Sequence, residues 1–380
     1  MLPEFISGWH LTNREAGWIT GLFYAAYALA VPFLVTLTDR VDPRAVYLTG
    51  VAMTITSQWG FAAFADGFWT AAALRALAGI GWAGTYMTGL KLLADRVDAT
   101  LMSRAVAGHA ASIGVAGSLS FVFAGALNDS VGWRGAFVAS GIAALVGWLI
   151  IFFFAPPRDT PLDTPGHGAL FDFRPVLRNK SAMAYALAYC AHTWEMNALR
   201  GWVVAFLAYV MAATGEGSVW IGPTVVATAM GFIGTWASVA GNEASIRLGR
   251  QRLVRLAMLS CAVLAAGIGF LGAQSYPLAT VLVLVYGLLI WLDSSSLTAG
   301  AAGSADPRRR GATLAVHSMA GYAGGFVGPV AIGSILDLGG GMSPLSWGLA
   351  FLHIAVIGLI GRFAFVTLAP RDLAGDRAGR

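Results

Sequence analysis

Eleven apolar runs, each near the length of a bilayer crossing, take up most of this 380-residue chain. They fall at roughly 16–38, 46–65, 69–92, 104–127, 133–154, 181–213, 219–241, 253–273, 277–300, 311–335 and 347–368. A run of about 20 apolar residues crosses the hydrocarbon core as a helix, because a helix satisfies its own backbone there. Charged residues make up 11% of the chain, against about 25% in soluble domains. An ordinary soluble domain is therefore excluded, and an all-α integral membrane fold in a lipid bilayer is expected. The 48 glycines fit that setting, since glycine lets membrane helices approach closely. The net charge of +5 is spread over short, separated loops and offers no nucleic-acid surface. Cys190 and Cys261 lie inside apolar runs and read as packing residues, with no disulfide.

The chain also repeats itself. At an offset of 208 residues His109, Gly117, Gly125 and Asp129 fall on His317, Gly325, Gly333 and Asp337, and Gly79 falls on Gly287. After a six-residue insertion, Trp133-Arg-Gly-Ala-Phe137 falls on Trp347-Gly-Leu-Ala-Phe351. An apolar chain that repeats at half its length implies two like helix bundles. The expected bundles are residues 1–154 and 181–370, joined by a Pro-, Asp- and Gly-rich linker at 155–180 and followed by a tail at 371–380. An odd number of spans is awkward for a duplication. Met1-Leu-Pro-Glu-Phe-Ile-Ser-Gly-Trp9 reads as the last turn of a helix and an interfacial tryptophan. We therefore expect a further membrane helix ahead of Met1, equivalent to the span 181–213, its absence reflecting a misassigned start or real loss.

Basic residues set the orientation. If the loop at 39–45 is cytoplasmic, so are alternate loops, the linker and the tail. Of the 24 Lys and Arg residues, only Arg14, Arg75, Arg134 and Arg200 then lie away from that side, a strong positive-inside bias. Trp9, Trp18, Trp69, Trp133, Trp220 and Trp347 fall at the outer edge, as an aromatic belt does. The linker stretch Leu170–Arg178 reads either as an amphipathic segment on the inner surface or as a solvated tether.

Asp39-Arg40-Val-Asp-Pro-Arg44 follows the first span, Arg247, Gly249 and Arg250 occupy the equivalent loop, and Arg75-Ala-Leu-Ala-Gly79-Ile-Gly81 lies in the third span. With these motifs the chain resembles the major facilitator superfamily over its whole length apart from the first helix. Leu37, Asp39, Arg40 and Arg44 match the family's loop pattern between helices two and three, while Val35, Asp42 and Pro43 depart from it. The resemblance implies a two-bundle fold of twelve helices, here lacking the first, acting as a monomer. It implies alternating access, with Asp39, Arg40, Arg44, Arg247, Gly249 and Arg250 as a cytoplasmic gating latch. It also places the chain in a bacterial inner membrane with a cytoplasmic C-terminus. In the family's scheme helices one, four, seven and ten line the cavity, and two, five, eight and eleven form the interface between the halves.

Ionisable groups inside a membrane cost about 2.5–3.5 kcal/mol on insertion scales and are functional candidates by default. The densest set is His192-Thr-Trp194-Glu195-Met-Asn197-Ala-Leu-Arg200. His192 and Glu195, three apart, share a helix face; Asn197 and Arg200 share another, about 140° round. One face is read as carrying a proton on the Glu195–His192 pair, the other as offering Arg200 to an anion. Asp293, beside three serines, is a cavity candidate, and Arg75 either binds an anion or forms an ion pair. His109 and His317 are a symmetric pair, either titrating or satisfied by backbone carbonyls. Trp82, Tyr86, Trp194 and Trp291, with Tyr24 and Tyr27, either stack on a solute or pack. Gly114 and Gly117 against Gly321, Gly324 and Gly325 are expected to allow close crossing between the halves.

These residues lead to a secondary transporter of a small organic solute, anionic and proton-coupled, with no cofactor or metal. Export of amphipathic or cationic compounds is the second reading, and a non-transporting sensor or truncated homologue the third. The family's drug exporters carry Gly-Pro on helix five, whereas this chain has Ser120-Phe121 there and Gly328-Pro329 on helix eleven. No phosphate loop, metal-spaced cluster or nucleophile elbow points to an enzyme or an ATP-driven pump.

Overall fold

In the computed structural model the described residues are 1–380 without 39–40, 95, 98, 158–172, 216–220, 307–308, 371–372, 374–375 and 377–380. The helices are α1 (Leu2–Gly8), α2 (Asn13–Leu37), α3 (Pro43–Phe64), α4 (Phe68–Ala83), α5 (Tyr86–Ala94), α6 (Ala99–Phe154) and α7 (Arg174–Arg178). There follow α8 (Lys180–Ala213), α9 (Pro223–Leu248), α10 (Arg250–Leu271), α11 (Tyr276–Trp291), α12 (Ser294–Gly303), α13 (Arg310–Leu338) and α14 (Pro344–Leu368). Eight segments among them are long and apolar enough to cross a membrane. The fold is all-α and of an integral membrane protein.

Helix ends follow local chemistry. The Asp42 carboxylate accepts the Arg44 amide and Pro43 opens α3, where a missing N–H costs nothing. Asn179 caps α8 by accepting the Ala182 amide, and Ser343 caps α14 by accepting that of Ser346. At Gly132 the backbone turns to φ 74 inside α6, a conformation that glycine adopts without a Cβ clash. This divides α6 into the two spans read at 104–127 and 133–154.

Two spans expected to be continuous are broken. The run 69–92 is α4 and α5, parted at Gly84–Thr85, and the run 277–300 is α11 and α12, parted at Leu292–Asp293. Each pair of helices begins at the same offset of 208 residues: Phe68 with Tyr276, Tyr86 with Ser294. Glycine packing allows the first break. A Cβ on Gly84 would stand 3.0 Å from the Gly50 Cα. At the second, Gly241 of α9 packs against the Leu292 carbonyl, which a Cβ there would strike. The loop read at 241–250 is also shorter than expected, because α9 stays helical to Leu248.

The chain divides into two compact units, Pro3–Leu11 with Trp18–Gly168 and Thr12–Gly17 with Ala169–Arg380. In the first, Phe5, Leu11, Ile19, Phe61, Ala65 and Ala71 form a buried cluster. Trp9 stacks on Phe5 at 4.5 Å and meets Trp133 edge-on at 5.5 Å. In the second, Tyr185, Ala188, Val254, Met258, Leu297 and Phe365 gather from α8, α10, α12 and α14, and Leu373 of the tail is buried among them. Phe33, Phe64, Trp69, Phe153, Val263 and Phe363 are exposed, as residues facing lipid are.

Candidate functional site

The two helix breaks gather the polar side chains of the apolar interior. In the second unit, Asp293 stands at the N-cap of α12 with its carboxylate turned inward. His192 Nδ1, on α8, lies 2.9 Å from Asp293 Oδ1, and both side chains are nearly inaccessible, at 2% and 4%. One turn on, Glu195 is buried too and accepts a hydrogen bond from the Tyr286 hydroxyl of α11. The Cys261 thiol of α10 bonds the same carboxylate. His317, on α13, is equally buried; its Nε2 meets Thr298 Oγ1 at 3.3 Å. The Tyr189 ring stacks on both histidines, with centroids 4.1 Å from His317 and 5.7 Å from His192. Five helices of one unit thus close two acids, two histidines, a phenol and a thiol into one buried cluster.

The sequence placed His192 and Glu195 as partners on one face. They are neighbours, but the His192 ring bonds Asp293 and leaves Glu195 to Tyr286. Asn197 is buried and donates to the Thr193 carbonyl at 2.9 Å. Arg200 is half-buried. Trp194 donates its indole N–H to His353 Nε2 at 3.1 Å. Trp291 packs against α9, where a Cβ on Gly234 would strike its ring.

In the first unit, Arg75 lies with its guanidinium 4.8 Å over the Phe23 ring. Phe23 stacks on Trp82 at 5.2 Å, Trp82 on Tyr86 at 6.2 Å, and Tyr86 on His109 at 5.4 Å. Tyr27 covers Trp82 at 4.4 Å and Tyr24 meets Phe23 edge-on. His109 Nε2 bonds the Tyr86 carbonyl at 2.9 Å, just past the first break. A histidine from a neighbouring helix therefore attends each break, taking a carbonyl at one and a carboxylate at the other.

Of the loop motifs, Asp39 and Arg40 lie outside the described residues. Arg44 donates to the Phe152 carbonyl at 2.7 Å, and Asp42 meets Arg96 at 3.4 Å. Arg247 pairs with Glu243 one turn back on the exposed face of α9. Arg250 is buried, donating to Asn242 and Ser245 at 3.0 Å each. Gly249, at φ 87, begins α10. There Asp376 of the tail accepts the Arg250 amide on its carbonyl at 3.1 Å and the Gln251 amide on its carboxylate at 2.7 Å.

The glycines of α13 serve a nearer partner than expected. A Cβ on Gly321 would strike the Tyr189 ring, and one on Gly324 the Cys190 carbonyl, so both face α8 of their own unit. Gly325 is buried on α13, and Gly114 and Gly117 lie half-buried in α6. Gly79 and Gly81 stand against α2 and α3.

Cys261 is a buried free thiol, as a packing residue is, and it also stands against the Glu195 carboxylate. Tyr286, Tyr189, Thr298 and His353 were not singled out at all. Tyr286 precedes Asp293 by two helical turns and Tyr189 precedes His192 by one, so helix spacing carried a signal for both. His353 is an ionisable residue in the apolar run 347–368 and so carried the same signal as His192, whereas nothing local marks Cys261, whose partner comes from another helix. Among the described residues no three His, Cys, Asp or Glu side chains are disposed to hold a metal.

A family model described as Major Facilitator Superfamily matches residues 1–329. Over 153 residues the chain is 28% identical to the probable sphingolipid transporter spinster homolog 1 of Arabidopsis thaliana, a stretch covering 39% of this chain and 30% of that protein. Over 360 residues it is 23% identical to the sphingosine-1-phosphate transporter SPNS2 of Mus musculus, covering 86% of this chain and 64% of that one. The chain thus spans less than two thirds of the length of these curated relatives. A solved structure of a bacterial homolog to the human lysosomal transporter Spinster, inward-facing and occupied, gives a TM-score of 0.77 at 16% identity, covering 100% of this chain and 93% of that one. A mutant of the nucleoside transporter NupG gives 0.79 at 11% identity, covering 97% and 94%. At such identities the likeness is one of fold.

Proposed function

The chain belongs to the Major Facilitator Superfamily, a family of membrane transporters and not of enzymes, and we propose that it moves a small organic solute by proton-coupled alternating access. The observation that carries this reading is the buried cluster of His192, Asp293, Glu195 and Tyr286. Two acids and a histidine kept in an apolar interior are costly and can change charge, which a proton-coupled carrier needs. The cluster forms at a broken helix, where transporters place substrate and ion sites. The matching break in the first half supports an internal repeat, with the halves 1–154 and 181–370 as the rocking bodies and the linker 155–180 and tail 371–380 cytoplasmic. A bacterial inner membrane remains the expected home.

An anionic solute is the first choice. Among the described residues neither Arg75 nor Arg200 is engaged in an ion pair, so each can meet a carboxylate or a phosphate. Export of an amphipathic or cationic compound is the second reading. Its amphipathic solute is supported by two relatives, a probable sphingolipid transporter and a sphingosine-1-phosphate transporter.

Thermal protection of the purified protein separates the two readings, because a ligand stabilises the state it binds. Benzoate as an organic anion and tetraphenylphosphonium as a lipophilic cation are the probes. Protection by benzoate alone that is lost in Arg200→Ala supports the first reading. Protection by the cation alone that is lost in Asp293→Asn supports the second. The protecting probe should then enter proteoliposomes when a pH gradient is imposed, with the rate falling at least tenfold in Glu195→Gln. Uptake indifferent to the gradient would overturn proton coupling.

A further inference from the structure

We propose that the buried cluster takes up its proton at Nε2 of His192, with Asp293 and Glu195 as the fixed negative charges that hold it there. The assignment rests on the proton-coupled reading and sharpens it, because the sequence alone leaves the proton shared by the Glu195–His192 pair.

The geometry separates the two ring nitrogens. Nδ1 lies 2.9 Å from Asp293 Oδ1, so one hydrogen is shared between those atoms and this nitrogen is occupied. Nε2 is fully buried and meets no hydrogen-bonding atom among the described residues. Buried polar atoms are nearly always paired, and an exception asks for a reason. A lone pair kept free for a proton supplies one.

Both carboxylates are already served in other ways. Glu195 accepts from the Tyr286 hydroxyl and the Cys261 thiol, and Asp293 holds His192. With both acids ionised and the histidine neutral, the cluster carries two negative charges in a site closed to water. A proton on Nε2 makes an imidazolium beside both of them, and a dry setting strengthens that attraction. The remaining groups facing His192 carry no positive charge that would oppose it. Among the described residues they are Tyr189 on α8, stacked on its ring, and His317 on α13, whose Nε2 is taken by Thr298, while Tyr286 and Cys261 stand on the Glu195 side of the cluster. The step balances by itself. The Nε2 lone pair forms an N–H bond with the incoming proton, the Nδ1 hydrogen stays on the ring and donates to the Asp293 carboxylate, and the charge of the cluster rises by one. Release is the reverse.

The test uses the full chain, labelled with 15N-histidine and titrated by NMR, with the proton as the only ligand. The six histidines include His192, assigned by the signal lost in His192→Gln. Should that variant not fold, Asp293→Asn assigns it through the displaced Nδ1 resonance. The expected result is a His192 Nε2 signal that passes from unprotonated to protonated as pH falls, while Nδ1 stays protonated throughout. Infrared difference spectra over the same range should then show no carboxylic acid band sensitive to Asp293→Asn or Glu195→Gln. A carboxylic acid band abolished by either variant, with Nε2 unchanged, overturns the proposal. If the NMR result holds but no pH gradient drives uptake, the His192 site stands and the transport coupling falls.

Discussion

Tyr286 on α11 donates its phenolic hydrogen to the Glu195 carboxylate on α8, and both side chains are buried. A hydrogen bond to a charged group in such a place contributes about 1.5–3 kcal/mol, and removing its donor leaves a buried acceptor short of one partner. Tyr286→Phe should therefore lower the thermal midpoint of the detergent-solubilised protein. Glu195→Gln in the Tyr286→Phe background should cost less than it does alone, because the two residues act as a pair. Additive losses would show that the contact carries no coupling energy.

Much of the fold was legible because the membrane simplifies the problem. Apolar length alone marks a span. The seven-residue helix before Trp9, the division of α6 at Gly132 and the long α8 were all readable in this way. The breaks at Gly84 and Leu292 were not, since hydropathy continues through both and the close packing at each, against Gly50 and against Gly241, is tertiary. The candidate site divides along the same line. His192, Glu195, Asp293 and His317 stand out as ionisable residues in apolar runs. Their pairing is tertiary, so neither the choice of Asp293 over Glu195 by His192 nor the Cys261 contact could be read from spacing. Asp376 lies in a short tail of ordinary composition and gives no hint that it reaches the start of α10.

Gly324 sets how closely α13 approaches α8. A Cβ there would stand 3.0 Å from Thr193 Oγ1 and the Trp194 amide, and closer still to the Cys190 carbonyl. Gly324→Ala should cost about 1–3 kcal/mol by overpacking. Gly267, on α10, has nothing within 4 Å of the same position. There Gly267→Ala should be neutral or stabilise by up to about 1 kcal/mol through helix propensity. Thermal midpoints of the two variants, measured side by side, check the contrast.

Asp376 supplies a cap from far along the chain. Its carbonyl and carboxylate take the Arg250 and Gln251 amides at the start of α10, where free N–H groups and the helix dipole favour an acceptor. Asp376→Ala should cost about 0.5–2 kcal/mol, in the range of a lost N-cap. Asp376→Asn keeps the acceptor oxygen and should lose only the charge contribution, which is weakened by salt. Equal midpoints for both variants at low ionic strength would contradict this role.

Trp194 offers the sharpest separation between packing and transport. His353 Nδ1 faces the Ala350 carbonyl, an acceptor, so the ring hydrogen lies there and Nε2 presents a lone pair. The Trp194 indole N–H fills it at 3.1 Å, tying α8 to α14 with neither residue charged. Trp194→Phe removes the donor and should cost about 1–3 kcal/mol, since the Nε2 acceptor is then unpaired. The double variant Trp194→Phe/His353→Leu should recover part of that loss, because no orphan remains. Uptake of the protecting probe by folded Trp194→Phe should stay within about twofold of wild type, a difference of roughly 0.4 kcal/mol. A collapse of uptake with an unchanged thermal midpoint would instead make the indole a substrate contact, and the bond to His353 incidental.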